Sequence, residues 1–392
     1  MRYAAITDRL AGLGGAKWAV HARARALEAS GRKVIKLTIG EPDVPTPPAL
    51  IDIAAASMRA GRTGYSNGRG EAGLLRALAA RYTARRGRSF TPAEIMCFPG
   101  TQTTLYAVMM AMVGPGDEVL VGDPMYATYE GVIAATGARM VPVPLRPEAG
   151  FAMRATDIAA RITPRSRVIF LNSPHNPTGA MLSHADFAAI GALAKQHDLW
   201  VLCDEVYEDL VFAGTAFASP LDLPDLADRV VTAASISKSH AAPGFRSGWC
   251  VGPAEFMARL LPLAETMLFG NQPFIADMTE AAIAEGSPIA VGMTARFARR
   301  ARLVTEKLNG VAGLRVHEPK AGMFALVDVT AINPDGTAFA LALLEEKSVA
   351  VMPGASFGTA LKGWLRLSLT EPDDMIEEAC RRIAEFAAEH HA

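Results

Sequence analysis

The sequence predicts an α/β protein: a large domain with a mostly parallel, mixed sheet sandwiched by helices, plus a smaller α+β domain. Three observations lead there. Short β-rich runs alternate with helical stretches through the first two thirds of the chain, and Gly and Pro punctuate them regularly. Several of those runs are continuously apolar, as strands covered on both faces must be. After about residue 285 the texture changes to a long Arg-rich helix followed by short strands. With 392 residues, half of them apolar, the chain has ample material for one large core and a smaller one.

The strand candidates of the first region are 118–121, 139–143, 167–172, 199–204, 229–233 and 247–251. Helical stretches at 102–112 and 184–197 lie between them. In the second region the helix spans roughly 291–308. Strands are expected near 314–317, 323–328, 349–352 and 364–369, and a last helix at 375–389 closes the chain. An N-terminal helix at 18–29 stands apart from the main sheet and is expected on the smaller domain. The large domain is therefore set at 46–285, and the small domain at 1–45 with 286–392.

Charge and cysteine content exclude several classes. There are 39 basic and 40 acidic residues, a net charge of -1, and no electrostatic reason to expect a nucleic-acid or membrane partner. The 30 Arg against 9 Lys fit a codon bias and leave few lysines for lysine chemistry. Cys97, Cys203, Cys250 and Cys380 are scattered, so neither a disulfide framework nor a metal site is expected, and the cytoplasm is the default. His390 and His391 read as a solvated tail. The first ten residues hold Arg2, Asp8 and Arg9, unlike a signal peptide.

Ligands of open α/β sheets bind beyond the carboxyl ends of the strands, so polar residues there are the site candidates. After Cys97 come Gly100, Thr101 and Gln102 at a helix start, which is either an anion site or an ordinary threonine cap. After Leu171 runs Asn172-Ser173-Pro174-His175-Asn176-Pro177-Thr178-Gly179, a turn-rich loop whose two Asn and one His are costly to bury without partners. Asp204 ends an apolar strand, where it needs a cationic or hydrogen-bonding partner or serves as a helix cap. Ser235-Ile236-Ser237-Lys238 precedes Arg246 by eight residues, a compact set of phosphate-binding and carbonyl-reactive groups, or else a surface loop. Arg366 sits within the apolar strand Trp364-Leu365-Arg366-Leu367, where it awaits a carboxylate ligand or a structural ion pair.

Together with Gly40-Glu41-Pro42-Asp43, with Tyr65 ahead of Gly68 and Gly70, and with Asp204-Glu205-Val206-Tyr207, these segments resemble the class I/II aminotransferases of the fold-type-I pyridoxal-phosphate family. The resemblance runs from about residue 31 to 386. It implies pyridoxal 5′-phosphate as cofactor, with Lys238 holding it as a Schiff base and moving the substrate proton. It implies that Asp204 pairs with the pyridine nitrogen, that Asn176 and Tyr207 bond the ring oxygen, and that Tyr126 stacks on the ring. Gly100, Thr101, Gln102, Ser235, Ser237 and Arg246 would hold the phosphate. Arg366 would grip the substrate carboxylate with two parallel bonds, helped by Asn176 and the Gly40 backbone. The site would lie at a two-fold homodimer interface, with Tyr65 reaching the neighbouring phosphate.

Substrate choice is the weaker inference. Some aspartate-preferring members carry Lys before the phosphate-loop Gln, and this chain has Thr101 there. The strings from Pro124 to Glu130, Ser173 to Pro177, Ser237 to Ala241 and Ala16-Lys17-Trp18 are similar to the arginine–pyruvate branch. Trp18 is expected to cap the substrate pocket, or to be a core residue of its helix. The expected reaction moves an amino group from a basic or broad neutral L-amino acid to pyruvate or 2-oxoglutarate. The alternatives are a carbon–sulfur lyase, racemase or decarboxylase of the same fold, an aminotransferase-like sensor, or a nucleotide-binding α/β protein.

Overall fold

The computed structural model describes residues 1–391. Its twelve strands form two sheets. The larger one holds β2 (Ile95–Phe98), β3 (Glu118–Asp123), β4 (Arg139–Pro144), β5 (Ser166–Asn172), β6 (Trp200–Asp204), β7 (Val230–Ser235) and β8 (Gly248–Val251), in the order β2-β8-β7-β6-β5-β3-β4. All neighbours pair in parallel except β8, which runs antiparallel to both β2 and β7. The mixed, mostly parallel character read from the sequence is therefore present, and one short strand supplies the mixing.

Strands β5, β6 and β7 are buried along nearly their whole length. That is why they read as unbroken apolar runs rather than alternating ones. Helices Gly100–Met112 and Ala254–Met267 cover one face with a core of Phe98, Val108, Phe170 and Leu260. Helices Ala72–Arg86, His184–Gln196 and Pro273–Glu285 cover the other, over Leu78, Ile190, Trp249 and Met278.

The smaller sheet joins β1 (Ile35–Leu37), β9 (Arg315–His317), β10 (Phe324–Asp328), β11 (Val349–Pro353) and β12 (Trp364–Ser368) in the order β1-β11-β12-β10-β9. Helices Ala19–Ala29, Pro288–Leu308, Gly336–Lys347 and Asp373–His390 pack on it. Val20, Ala24 and Leu27 of the N-terminal helix enter this core, spaced as one helical face.

Two details depart from the sequence reading. The N-terminal helix starts at Ala19, because Ala16–Trp18 form a separate 3-10 turn. Tyr207, Leu210 and Phe212, assigned to the larger region, contribute to the core of the smaller sheet. Backbone bonds from Phe212 N–H to the Lys320 carbonyl (3.0 Å) and from Gly322 N–H to the Leu210 carbonyl (2.8 Å) fix that segment there. The two cores thus meet along the carboxyl ends of β5 and β6. Among the described residues no helix is long and apolar enough to cross a membrane.

Candidate active site

A cleft with about 890 Å³ of open space lies where the two cores meet, beyond the carboxyl ends of β5, β6 and β7. The sheet register explains why distant residues converge on it. Phe98 pairs with Gly248, and Gly248 with Ser235, so β2, β8 and β7 present their site-bearing ends in one row. Asn172 pairs with Asp204 in the adjoining strands.

The corner expected to take an anion starts at helix Gly100–Met112. No side chain caps this helix, and its first N–H groups are free to meet a ligand. Threonine capping, the alternative reading, is absent: the Thr101 hydroxyl is buried and has no partner. Gly100 has φ +84°, and a Cβ there would fall 2.1 Å from Arg246 Nη2. Arg246 is itself in the left-handed region at φ 52° and is braced by the Pro243 carbonyl at 2.7 Å. Ser235 caps the one-turn helix Ile236–Ser239 by accepting from Ser237 N–H at 3.3 Å. Gln102 is exposed at the mouth and accepts from the Thr128 hydroxyl at 2.9 Å. Free N–H groups, an orphaned hydroxyl, two serines and an arginine form a donor set suited to a phosphate ester.

Lys238 projects from the turn after β7 and donates to the Gly40 carbonyl at 2.7 Å. Burial, helped by Arg366 and Arg246, pulls its pKa down to about 8 against the opposing charges of Glu41 and Asp204. Gly40 is a glycine because a side chain would strike the Phe324 ring at 2.2 Å.

Asp204 is buried at the end of β6. One carboxylate oxygen accepts from Val206 N–H at 3.0 Å and the other from the Tyr129 hydroxyl at 2.7 Å. Burial still pushes its pKa up to about 6. The capping alternative is therefore partly right, since Asp204 does serve the turn that follows it. The cleft is also lined by Tyr126, which meets Tyr129 edge-on at 5.6 Å.

Asn176 bridges two further groups, donating to the Tyr207 hydroxyl at 3.4 Å and accepting from Arg366 Nη1 at 3.2 Å. Arg366 also donates to the Thr38 carbonyl at 2.6 Å, and its Nε is buried without a partner. Its guanidinium lies 3.9 Å from the Phe324 ring centre and 4.4 Å from that of Phe357. Among the described residues no carboxylate pairs with it: its bonds go to an amide oxygen and a backbone carbonyl, and the titratable groups beside it are the phenols of Tyr207 and Tyr126. A buried guanidinium with an open donor calls for an anion from outside the chain.

Two expected residues stand apart. Trp18 lines the mouth, half-buried and edge-on to His21 at 6.4 Å. It is held there through Lys17, which pairs with Glu130 at 2.6 Å. Tyr65 lies outside the cleft, 93% exposed and tilted against Phe269, which is also exposed. The sequence reading missed Tyr129 as a site residue. It stands three residues beyond Tyr126, which lies in the turn before the helix that Tyr129 opens, and nothing in that spacing shows that its hydroxyl meets Asp204.

The family model described as "Aminotransferase class I and II" matches residues 32–383. The arginine–pyruvate transaminase AruH of Pseudomonas aeruginosa is 44% identical over 99% of both chains. An aspartate/prephenate aminotransferase of Cereibacter sphaeroides is 34% identical over 94% of this chain and 95% of its own. Among solved structures, the aspartate aminotransferase from Rhizobium meliloti superposes with a TM-score of 0.94 at 29% identity, covering 100% of both chains.

Proposed function

The chain belongs to the class I and II aminotransferases, and from that premise we propose that its amino donor is a basic or broad neutral L-amino acid and its acceptor pyruvate or 2-oxoglutarate. The protein is a pyridoxal-phosphate-dependent transaminase of fold type I. The donor reading is supported by the 44% identity to an arginine–pyruvate transaminase. It is supported too by the cleft lining, in which Trp18, Ile39, Tyr126 and Phe324 surround the cations Lys238, Arg246 and Arg366. Those three cations serve the amine, phosphate and α-carboxylate, and none is left over for a second acid group.

The observation that carries the transamination reading is Arg366, a buried cation without an anionic partner, sharing one cleft with Lys238 and Asp204. When bound, the cofactor supplies an electron sink for the pair left as the Cα–H bond breaks. Arg366 and Asn176 orient the α-carboxylate. The amine of Lys238, depressed to about 8, is partly neutral near neutral pH; it accepts the α-proton and returns it. Asp204 would hold the proton of the ring nitrogen, Asn176 and Tyr207 would meet the ring oxygen, and Tyr126 would cover the ring face. Gly100, Thr101, Gln102, Ser235, Ser237 and Arg246 would hold the phosphate. Trp18 closes the mouth against water.

The working unit is a homodimer with a shared site. Tyr65 and Phe269, at 93% and 61% exposure, are large aromatic side chains turned away from their own cleft. In the dimer Tyr65 would reach the phosphate of the other copy. A cytoplasmic location accords with four buried free thiols.

A steady-state panel of amino donors with pyruvate and 2-oxoglutarate tests the function. Arginine, lysine or neutral donors should give the highest kcat/KM. Dominance by aspartate or glutamate would overturn the donor reading. Keto-acid release without any acceptor would show β-elimination instead.

A further inference from the structure

Tyr129 opens helix Tyr129–Thr136 and is almost fully enclosed, at 2% exposure. Its ring rests on Phe170 of β5 with centroids 4.3 Å apart, and Tyr126 meets it edge-on at 5.6 Å. These contacts leave its hydroxyl one direction, toward Asp204, to which it donates at 2.7 Å. Burial raises the phenol far above its ordinary pKa, so it stays a donor across the whole working range. The other carboxylate oxygen accepts from Val206 N–H at 3.0 Å. An ionised carboxylate offers roughly four acceptor positions, so capacity remains for a partner in the cleft.

We propose that Tyr129 is a positioning residue of the reaction: its hydrogen bond keeps the Asp204 carboxylate less basic than the ring nitrogen it faces, so the shared proton stays on the ring. The proposal rests on the reading of Asp204 given above. Its physical ground is competition for one proton. Asp204 lies in a site that disfavours its charge, and with both donors in place its pKa already stands at about 6. Removing the hydroxyl removes the side-chain donor that favours the ionised form. A more basic carboxylate then draws the proton from the ring nitrogen, and the electron sink weakens. Tyr129 itself acts only through Asp204.

The test is nitrogen-15 NMR of the holoenzyme carrying ring-labelled pyridoxal phosphate, alongside steady-state kinetics. In Tyr129→Phe the ring-nitrogen resonance should move toward that of the unprotonated ring. The kcat should fall about tenfold, the effect of losing one hydrogen bond to a charged group, while KM for the amino donor changes by less than about twofold. A difluorinated tyrosine in place of Tyr129 keeps the shape and strengthens the donor. It should move the ring-nitrogen resonance further toward that of the protonated ring. An unmoved resonance in a folded, cofactor-replete Tyr129→Phe overturns the proposal. If that variant does not fold, an unmoved resonance with the fluorinated residue overturns it alone. Asp204→Asn separates the two levels. If it leaves the resonance in place, Asp204 does not face the ring nitrogen and the underlying reading falls as well. If it moves the resonance and Tyr129→Phe does not, only the role of Tyr129 is wrong.

Discussion

The Arg366 guanidinium donates to the Asn176 side-chain oxygen at 3.2 Å, and Asn176 in turn donates to the Tyr207 hydroxyl. The chain thus holds a buried cation with neutral acceptors only: an amide oxygen and the Thr38 carbonyl. Such a group is costly to the empty protein and valuable to the occupied one.

Arg366→Met should therefore separate stability from activity. Replacing an uncompensated buried charge by an apolar side chain of similar length should stabilise the apoprotein by about 1–4 kcal/mol. The same change should lower kcat/KM for the amino donor roughly 100-fold or more, because the substrate carboxylate loses its charged partner. Thermal unfolding of the apoprotein and steady-state kinetics check the two halves. Unchanged kcat/KM would show that the carboxylate is bound elsewhere.

Lys238 should attach its cofactor at a lower pH than an ordinary lysine could. Attack requires the neutral amine, and burial lowers the pKa to about 8. The rate at which apoprotein takes up pyridoxal phosphate should rise with pH and level off above about 8 rather than above about 10.4. Linkage gives a second readout. The depressed folded-state pKa means that protonated Lys238 destabilises the apoprotein below pH 8, and this penalty fades as pH rises from there toward the unfolded value. Lys238→Ala should flatten that part of the stability profile, remove the visible absorbance of attached cofactor and abolish turnover.

Gly100→Ala should injure the phosphate corner while sparing the fold. The left-handed backbone at φ +84° makes any side chain cost about 1–2 kcal/mol. The added methyl would also displace the Arg246 guanidinium, whose Nη2 lies 2.1 Å from the position of that carbon. Loss of one charge-assisted pair predicts a Kd for pyridoxal phosphate raised about tenfold or more. Equilibrium titration of the apoprotein measures it. A larger fall in Tm than in cofactor affinity would argue against the phosphate role.

Tyr65→Phe should weaken cofactor retention without changing the monomer fold, since the hydroxyl touches nothing within its own cleft. Phe269→Glu should shift sedimentation toward monomers and reduce activity at low protein concentration. Activity independent of concentration in a protein shown to be monomeric would refute the shared site.

By itself the sequence determined the α/β class, because burial on both faces writes β5, β6 and β7 as continuous apolar runs. It also determined which residue types stand at the strand ends: Asp204, the Ser235 to Lys238 turn, and Arg366 within β12. Both signals are local, carried by neighbours along the chain. What those residues touch was decided only by tertiary structure. Whether Arg366 was paired or open depended on Asn176 and Thr38, 190 and 328 positions away. The Tyr129 hydroxyl meets Asp204 across 75 residues, and no periodicity announces it. Tyr207, Leu210 and Phe212 left their sequence neighbours for the other core because backbone bonds to Lys320 and Gly322 fixed the segment there. Strand order and register set these distances, and they emerge from packing the whole chain rather than from any stretch of it.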